Sequence, residues 1–148
     1  MQGMESPFVQ PPETTAQDAI AAIGEELDVF DDWMDRYQFI IDMGRALPRF
    51  PPEWMNDAHR VPGCQSKVWM EAELRDGRLM LAGASDAAIV SGLVALLLRV
   101  YSGRTPAEIV TTDPVFLKDM GLLEALSTNR GNGIASMARA IRERAASA

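Results

Sequence analysis

The chain has 148 residues, 47% of them hydrophobic, which is enough to bury the core of one domain. Its 14 Lys and Arg against 21 Asp and Glu give a net charge of −7, which would repel a nucleic-acid backbone. One cysteine and one histidine cannot form an internal disulfide, a Cys/His zinc site or the usual iron–sulfur ligand set. We therefore expect no bound metal or cofactor and no nucleic-acid partner.

The N-terminal stretch, Met1 to Thr15, contains three prolines among polar residues and has no periodic apolar face. It is predicted to be a flexible tail ahead of one domain over residues 16–148. It also lacks the charged region followed by an apolar stretch that is typical of targeting signals. The longest apolar run, Ala87 to Val100, is interrupted by Ser91 and Gly92 and is too short to cross a bilayer. We expect a cytoplasmic protein without a membrane partner.

Two amphipathic helices are predicted next. Apolar residues recur at helical spacing from Ala16 to Phe30, with Thr15 as the N-cap and Asp18 in the first turn. A second helix ends before Pro48. Its core face is predicted to comprise Trp33, Tyr37, Ile40, Ile41 and Gly44.

A loop and a hairpin follow the helices. The proline-containing stretch from Pro48 to Ser66 has few periodic apolar residues and predicts a surface loop. Apolar and polar residues then alternate over 67–74, with Val68, Met70, Ala72 and Leu74 on the predicted buried face. The pair Asp76-Gly77 predicts a tight turn into a second strand from Arg78 to Ala84.

The second half of the chain is predicted to be mainly helical. Ser85 is predicted to cap a central core helix, apolar on nearly all sides, with Asp86 in its first turn. The segment Thr105 to Glu108 matches a capping box, and Asp113-Pro114 predicts another short helix. A C-terminal amphipathic helix presents the core candidates Ile134, Met137, Ala138 and Ile141. This order of elements predicts an α+β fold of two layers, in which N-terminal, central and C-terminal helices cover a small antiparallel sheet.

The candidate functional residue is Cys64, at the exit of the Pro62-Gly63 bend and followed by Gln65 and Ser66. Proline and glycine suit the two central positions of a type II turn, so the thiol should project from the scaffold. A thiolate at a loop tip can attack the terminal sulfur of a persulfide on another protein. This placement favours sulfur transfer over a structural role.

Two other interpretations stay open on these residues. Cys64 and His59 could form the nucleophile and base of a hydrolase, although five residues across a proline-containing turn give no assurance of contact. Cys64 could instead be an inert thiol in an interaction module. Arg60 and Lys67 are the nearest basic residues in sequence and would favour the thiolate if they faced the sulfur.

The sequence resembles the SufE family and its CsdE relatives, which are sulfur acceptors that partner cysteine desulfurases. The resemblance rests on Gly63-Cys-Gln-Ser-Lys-Val-Trp69, on Ser85-Asp-Ala-Ala-Ile-Val90, on Asn129 to Ala140 and on the Trp33 to Pro48 helix. It implies a fold similar to that of the IscU scaffold. It also implies that Cys64 takes persulfide sulfur from a pyridoxal-phosphate-dependent desulfurase of the SufS or CsdA type. The chain would stimulate that enzyme, have no turnover of its own, and pass the sulfur to an iron–sulfur cluster scaffold.

The same resemblance implies supporting residues around Cys64. Asp86 would lie near the Cys64 loop and hold it, and Arg130 would stabilise the thiolate or persulfide or contact the desulfurase. Gln65 and Ser66 could donate hydrogen bonds to the sulfur. Plainer roles stay open for all four: a helix-start charge, a solvated arginine, and turn residues that satisfy the backbone.

Overall fold

The structure is a computed structural model that describes residues 6–63, 66–122 and 128–148, with the backbone alone over 128–132. Its helices are α1 (Ala16–Asp28), α2 (Trp33–Arg45), α3 (Ala88–Tyr101), α4 (Pro106–Thr111), α5 (Phe116–Asp119) and α6 (Thr128–Ala146). Its strands are β1 (Val68–Arg75) and β2 (Arg78–Ser85), and two short 3₁₀ helices, Pro52–Trp54 and Asp57–His59, precede them. None of the helices that the structure describes has the length and apolar character needed to span a membrane.

The two strands form the predicted antiparallel hairpin. Asp76 and Gly77 connect them with φ values of 53° and 79°, the left-handed conformation that such a tight turn requires. Val68 and Ala72 are buried as predicted, but Leu74 is 55% exposed. The prediction was wrong for Leu74, whose position next to the turn leaves it beyond the reach of the covering helices.

The central helix α3 is the core of the molecule, as its sequence predicts. Its buried residues are Ile89, Gly92, Leu93, Val94, Ala95, Leu96, Leu97, Leu98, Val100 and Tyr101. Helix α2 crosses it at very close range, because a Cβ atom added at Gly92 would lie 2.0 Å from the Ile40 carbonyl oxygen. Helices therefore pack on the hairpin in an α+β arrangement, which confirms the predicted fold class.

The predicted core face of α2 was wrong at its first residue. Trp33 is 39% exposed, because only one edge of its ring approaches Gly121.

The predicted start of α3 at Ser85 was wrong. Ser85 is the last residue of β2 and pairs with Val68, and α3 begins only at Ala88, with Ala87 as its N-cap. The chain must leave the strand ladder before it can turn into a helix. Asp86 consequently lies in the junction between β2 and α3 and not in the first helical turn.

Two of the predicted N-caps are present, and the Glu108 carboxylate of the predicted capping box has an unexpected partner. The Thr15 hydroxyl accepts a hydrogen bond from the Asp18 amide at 3.0 Å, and the Thr105 hydroxyl accepts one from the Glu108 amide at 3.2 Å. The Glu108 carboxylate does not complete a capping box, because it accepts from the Ala16 amide at 2.7 Å and so caps α1.

The N-terminal segment differs from the predicted flexible tail. Within the described part of that range, the Val9 amide donates to the Leu81 carbonyl of β2 at 2.8 Å, and the Ser102 hydroxyl donates to the Val9 carbonyl at 2.6 Å. Phe8 is buried against Phe50. A proline-rich segment without periodicity can still pair with a strand edge through single residues, so its packing left no pattern in the sequence.

Candidate functional site

The chain on either side of Cys64 is joined by backbone contacts at the base of a turn. The Val61 amide donates to the Val68 carbonyl at 2.9 Å, and Arg60 and Trp69 form an antiparallel bridge. Val61 and Val68 are both buried. The last part of the loop predicted from sequence is thus held by backbone contacts to the start of β1. The predicted acceptor Cys64 itself and the supporting Gln65 lie outside the described residues.

The exit of the turn is anchored to the junction between β2 and α3. The Lys67 amide donates to Oδ1 of Asp86 at 3.1 Å, and the Asp86 amide donates back to the Lys67 carbonyl at 3.2 Å. The Ser85 hydroxyl also donates to that carbonyl, at 2.8 Å. Asp86 therefore binds the backbone three residues after Cys64, and this contact explains why it sits outside the helix.

The entry of the turn lies against the C-terminal helix α6. Gly63 has a φ of 83°, a conformation that glycine adopts without strain. A Cβ atom added there would lie 2.8 Å from the Ser136 hydroxyl oxygen. The positive φ therefore favours glycine at the Pro62-Gly63 bend, and any side chain here would also require the Ser136 hydroxyl to move.

The remaining predicted site residues are Ser66 and Arg130. Ser66 is half-buried in the turn. Arg130 belongs to the first turn of α6, and its side chain lies outside the described residues. Of the predicted set, the structure brings Gly63, Ser66 and Asp86 to one turn, and the supporting roles of all of them stay predictions.

Sequence reasoning missed Ser136 as a neighbour of the turn. Ser136 and Gly63 are far apart in the chain, and no motif connects them. The available signal was helical periodicity, because Met137 and Ile134 are buried on α6 and Ser136 flanks that face, half-buried. Periodicity could indicate that the position lies near other elements, but it could not identify the Cys64 turn as the neighbour.

The side chain of His59 has partners among the described residues. Its Nε2 lies 2.9 Å from Oε2 of Glu71, its Nδ1 lies 2.9 Å from Oδ1 of Asn56, and its ring stacks on Trp54. Burial raises the pKa of Glu71, but hydrogen bonds from the Ala72 amide and from His59 outweigh that effect and leave the pKa below its usual value. Because both ring nitrogens of His59 have oxygen partners, a role as general base would require breaking one of these contacts.

Comparison with known proteins places this architecture in a family. Residues 21–145 match the family model of SufE, described as an Fe-S metabolism associated domain. An uncharacterized SufE-like protein of Rhizobium etli is 40% identical over 135 residues, covering 85% of this chain and 90% of that protein. An uncharacterized SufE-like protein of Rhizobium meliloti is 37% identical over 126 residues, covering 82% of this chain and 90% of that protein.

Two further comparisons agree. An uncharacterized SufE-like protein of Synechocystis is 40% identical over 114 residues, covering 77% of this chain and 72% of that protein. The solution structure of a hypothetical protein from Thermus thermophilus superposes with a TM-score of 0.73 at 20% identity, covering 94% of this chain and 97% of that chain. This last likeness supports the fold alone. The family model and the relatives together show that the chain belongs to the SufE family, a family associated with iron–sulfur metabolism.

Proposed function

We propose that this protein is a sulfur acceptor that takes persulfide sulfur from a cysteine desulfurase onto Cys64 and delivers it to iron–sulfur cluster assembly. The Cys64 thiolate attacks the outer sulfur of the desulfurase persulfide. A new sulfur–sulfur bond forms on Cys64, the bond to the desulfurase cysteine breaks, and that cysteine leaves as a thiolate. The transfer needs no external oxidant or reductant, because the sulfur–sulfur bond is exchanged and not created.

The observation that carries the proposal is the mounting of the Cys64 turn. Its base is closed by the Val61 and Val68 backbone, and its exit is anchored on Asp86. A thiol that is offered to another protein needs support from the chain on both sides of it, and these contacts supply that support to the segment that carries Cys64.

Removal of its persulfide would return the desulfurase to its reactive state sooner, so we also propose that the chain stimulates the desulfurase. It would act in this way without turnover of its own. The downstream partner would be an iron–sulfur scaffold that accepts the sulfur. A cytoplasmic location would suit a thiol that must remain reduced between transfers.

The direct test is incubation of the protein with the cysteine desulfurase of the same organism, its pyridoxal phosphate and cysteine. Intact-mass measurement should show an added mass of one sulfur atom on the wild-type protein. The Cys64→Ser variant should gain none and should not stimulate cysteine turnover by the desulfurase.

The matched control is Ser147→Ala, which removes a hydroxyl from an exposed position after the end of α6, leaves the thiol in place and should still accept sulfur. Absence of added sulfur on the wild type, or equal addition to the Cys64→Ser variant, would refute the proposal. Stimulation of the desulfurase by Cys64→Ser would show that activation occurs without sulfur acceptance, which would also contradict it.

A further inference from the structure

The single histidine of the chain, His59, is the last residue of the 3₁₀ helix that leads into the Cys64 turn. Its two ring nitrogens both face oxygen atoms, Nδ1 that of Asn56 and Nε2 that of Glu71, each at 2.9 Å. A neutral imidazole donates from one nitrogen and accepts at the other, whereas an imidazolium donates from both. The hydrogen-bonding character of the two oxygens therefore decides which protonation state of the ring fits this position.

The orientation of the Asn56 side chain is fixed by two other hydrogen bonds. Its Nδ2 donates to the Glu53 carbonyl at 2.7 Å, and its Oδ1 accepts from the His59 amide at 3.1 Å. Exchanging the nitrogen and the oxygen of this side chain would break both contacts. The atom that faces Nδ1 of His59 is thus a carbonyl oxygen, which can only accept.

The oxygen on the other side of the ring belongs to an ionised carboxylate. Burial raises the pKa of Glu71, but hydrogen bonds from the Ala72 amide and from His59 outweigh burial and leave that pKa below its usual value. An ionised carboxylate only accepts. Both neighbours of the His59 ring are therefore acceptors, and only the doubly protonated ring donates to the two of them.

A third neighbour also suits a positively charged ring. Trp54 stacks on His59 with ring centroids 5.9 Å apart and an angle of 18° between the ring planes. Trp54 is itself held by Phe8 and Phe50, whose ring centroids lie 6.0 and 5.6 Å away. The face of an indole ring attracts a cation, so this stacking is stronger for the imidazolium than for the neutral imidazole.

The remaining charges around His59 have mixed signs. Asp57 belongs to the same 3₁₀ helix, and Arg60 follows His59 in the chain. Arg144 of α6 also attracts the Glu71 carboxylate and so competes with His59 for it. The Glu71 carboxylate is therefore the charge on β1 to which His59 is directly joined.

These contacts lie at the entry of the Cys64 turn. Directly after His59, Arg60 forms its bridge with Trp69, and the Val61 amide donates to the Val68 carbonyl. His59 extends this pairing along β1 through its side chain. We call the contacts of the His59 ring with Asn56 and Glu71 the His59 clasp.

We propose that His59 is a positioning residue whose protonation controls how firmly the entry of the Cys64 turn is attached to β1. The imidazolium donates to both Asn56 and Glu71, and the neutral ring gives up one of these hydrogen bonds. Since the folded protein has partners for two ring protons, the stabilisation from the clasp is present at low pH and is lost as the pH rises. This inference concerns the chain alone and goes beyond the function proposed above.

The test measures the hydrogen-exchange protection factor of the Val61 amide by NMR at about pH 5.5 and about pH 8.5, on either side of the ordinary histidine value of about 6.5. In the wild type, this protection factor should fall by about threefold between the lower and the higher pH, as expected for loss of a partly exposed charged contact. The Leu79 amide, which donates to the Arg104 carbonyl at the edge of β2, is the internal reference and should keep its protection.

Two variants remove the clasp in different ways. His59→Phe keeps an aromatic ring beside Trp54 but cannot donate, and Glu71→Gln removes the negative charge. In both, the protection factor of the Val61 amide should be about threefold below that of the wild type at the lower pH and close to it at the higher pH. The control Glu73→Gln makes the same change of charge at an exposed position further along β1 and should match the wild type at both pH values.

Alkylation of Cys64 by iodoacetamide tests whether the effect reaches the thiol. At the lower pH, His59→Phe and Glu71→Gln should react about twofold or more faster than the wild type, and the ratio should approach one at the higher pH. The inference is overturned if Val61 protection depends on pH no more than Leu79 protection does, if Glu73→Gln has the same effect as Glu71→Gln, or if the alkylation ratio does not change with pH. These measurements need no desulfurase, so a pH-dependent clasp in a protein that gains no sulfur on Cys64 would refute the proposed function and support this inference.

Discussion

At the scale of single residues, the site depends on backbone positions that few side chains tolerate. Gly63 has a positive φ and lies against Ser136, whereas Gly77 has a positive φ in open space. The two positions share one conformational requirement and differ in their surroundings. They therefore allow the contribution of the α6 contact to be separated from that of backbone conformation.

Gly63→Ala should lower the free energy of unfolding by more than Gly77→Ala does. Both variants force a residue with a Cβ atom into the left-handed region, at a cost of about 1–2 kcal/mol. Only Gly63→Ala adds a contact at 2.8 Å with the Ser136 hydroxyl oxygen. Denaturant unfolding of both variants measures the difference, and equal losses would contradict a close approach of Ser136 to the turn.

Asp86→Ala should increase the rate at which iodoacetamide alkylates Cys64. The variant removes the acceptor of the Lys67 amide, so the exit of the turn loses a contact worth about 0.5–1.5 kcal/mol. Asp86→Asn keeps a carbonyl oxygen at that position and should alkylate at nearly the wild-type rate. If both variants react equally fast, the charge of Asp86 and not its hydrogen bond restrains the turn.

At the scale of secondary-structure elements, the crossing of α2 and α3 sets how the two helices are positioned relative to each other. Gly44 and Gly92 bring the two backbones into direct contact, and the Ile40 carbonyl lies over Gly92. Side chains larger than hydrogen at these positions would separate the helices. The position of α2 relative to the junction before α3 therefore depends on two glycines.

Gly92→Ala should lower the free energy of unfolding by about 3 kcal/mol or more, because its Cβ atom would lie 2.0 Å from a carbonyl oxygen that cannot move alone. Gly24→Ala is the matched control in α1, where a Cβ atom meets no neighbour within 4 Å. That variant should instead stabilise the protein by up to about 1 kcal/mol through helix propensity. Chemical unfolding measures both, and equal effects would refute the close crossing.

The sequence predicted those elements whose signals are local. The hairpin is specified by Asp76-Gly77 between alternating residues, and the Thr15 cap by its place before a periodic face. The start of α3 was misplaced because Ser85 is a good cap in isolation, while its pairing with Val68 keeps it in a strand. The contact of Ser136 with the turn joins distant parts of the chain, and no local pattern encodes it.

At the scale of the whole molecule, ion pairs and buried hydrogen bonds attach the N-terminal segment to α3. The Arg99 guanidinium donates to both carboxylate oxygens of Glu13, at 3.1 and 2.7 Å, and also pairs with Glu26. The buried Arg104 donates to the Glu13 carbonyl at 2.7 Å. Through the Val9 amide, which donates to the Leu81 carbonyl, this segment covers part of the edge of β2.

The pairing of Glu13 predicts a dependence of stability on pH. The hydrogen bond from Arg99 and its charge lower the pKa of Glu13 below 4.5, although burial opposes them. Because the folded-state pKa lies below the unfolded value, the stabilisation is present above pH 4.5 and is lost as the pH falls through the folded-state pKa.

Glu13→Gln should therefore be less stable than the wild type at neutral pH, and the gap should close on acidification. Chemical unfolding over a pH series measures it. Glu143→Gln serves as the control, since Glu143 is exposed and has no ion pair among the residues that the structure describes. A gap between Glu13→Gln and the wild type that stays constant with pH would contradict the role of the Arg99 pair.

The attachment of Val9 to Ser102 also orders events during protein synthesis. These residues are separated by 93 positions, so the Val9 carbonyl cannot accept from the Ser102 hydroxyl until most of the chain has been translated. The Ser102 hydroxyl can bridge the edge of β2 to Val9 only after α3 has been synthesised. A nascent chain stalled before residue 102 would thus expose an unfinished sheet to chaperones, whatever the state of its first two helices.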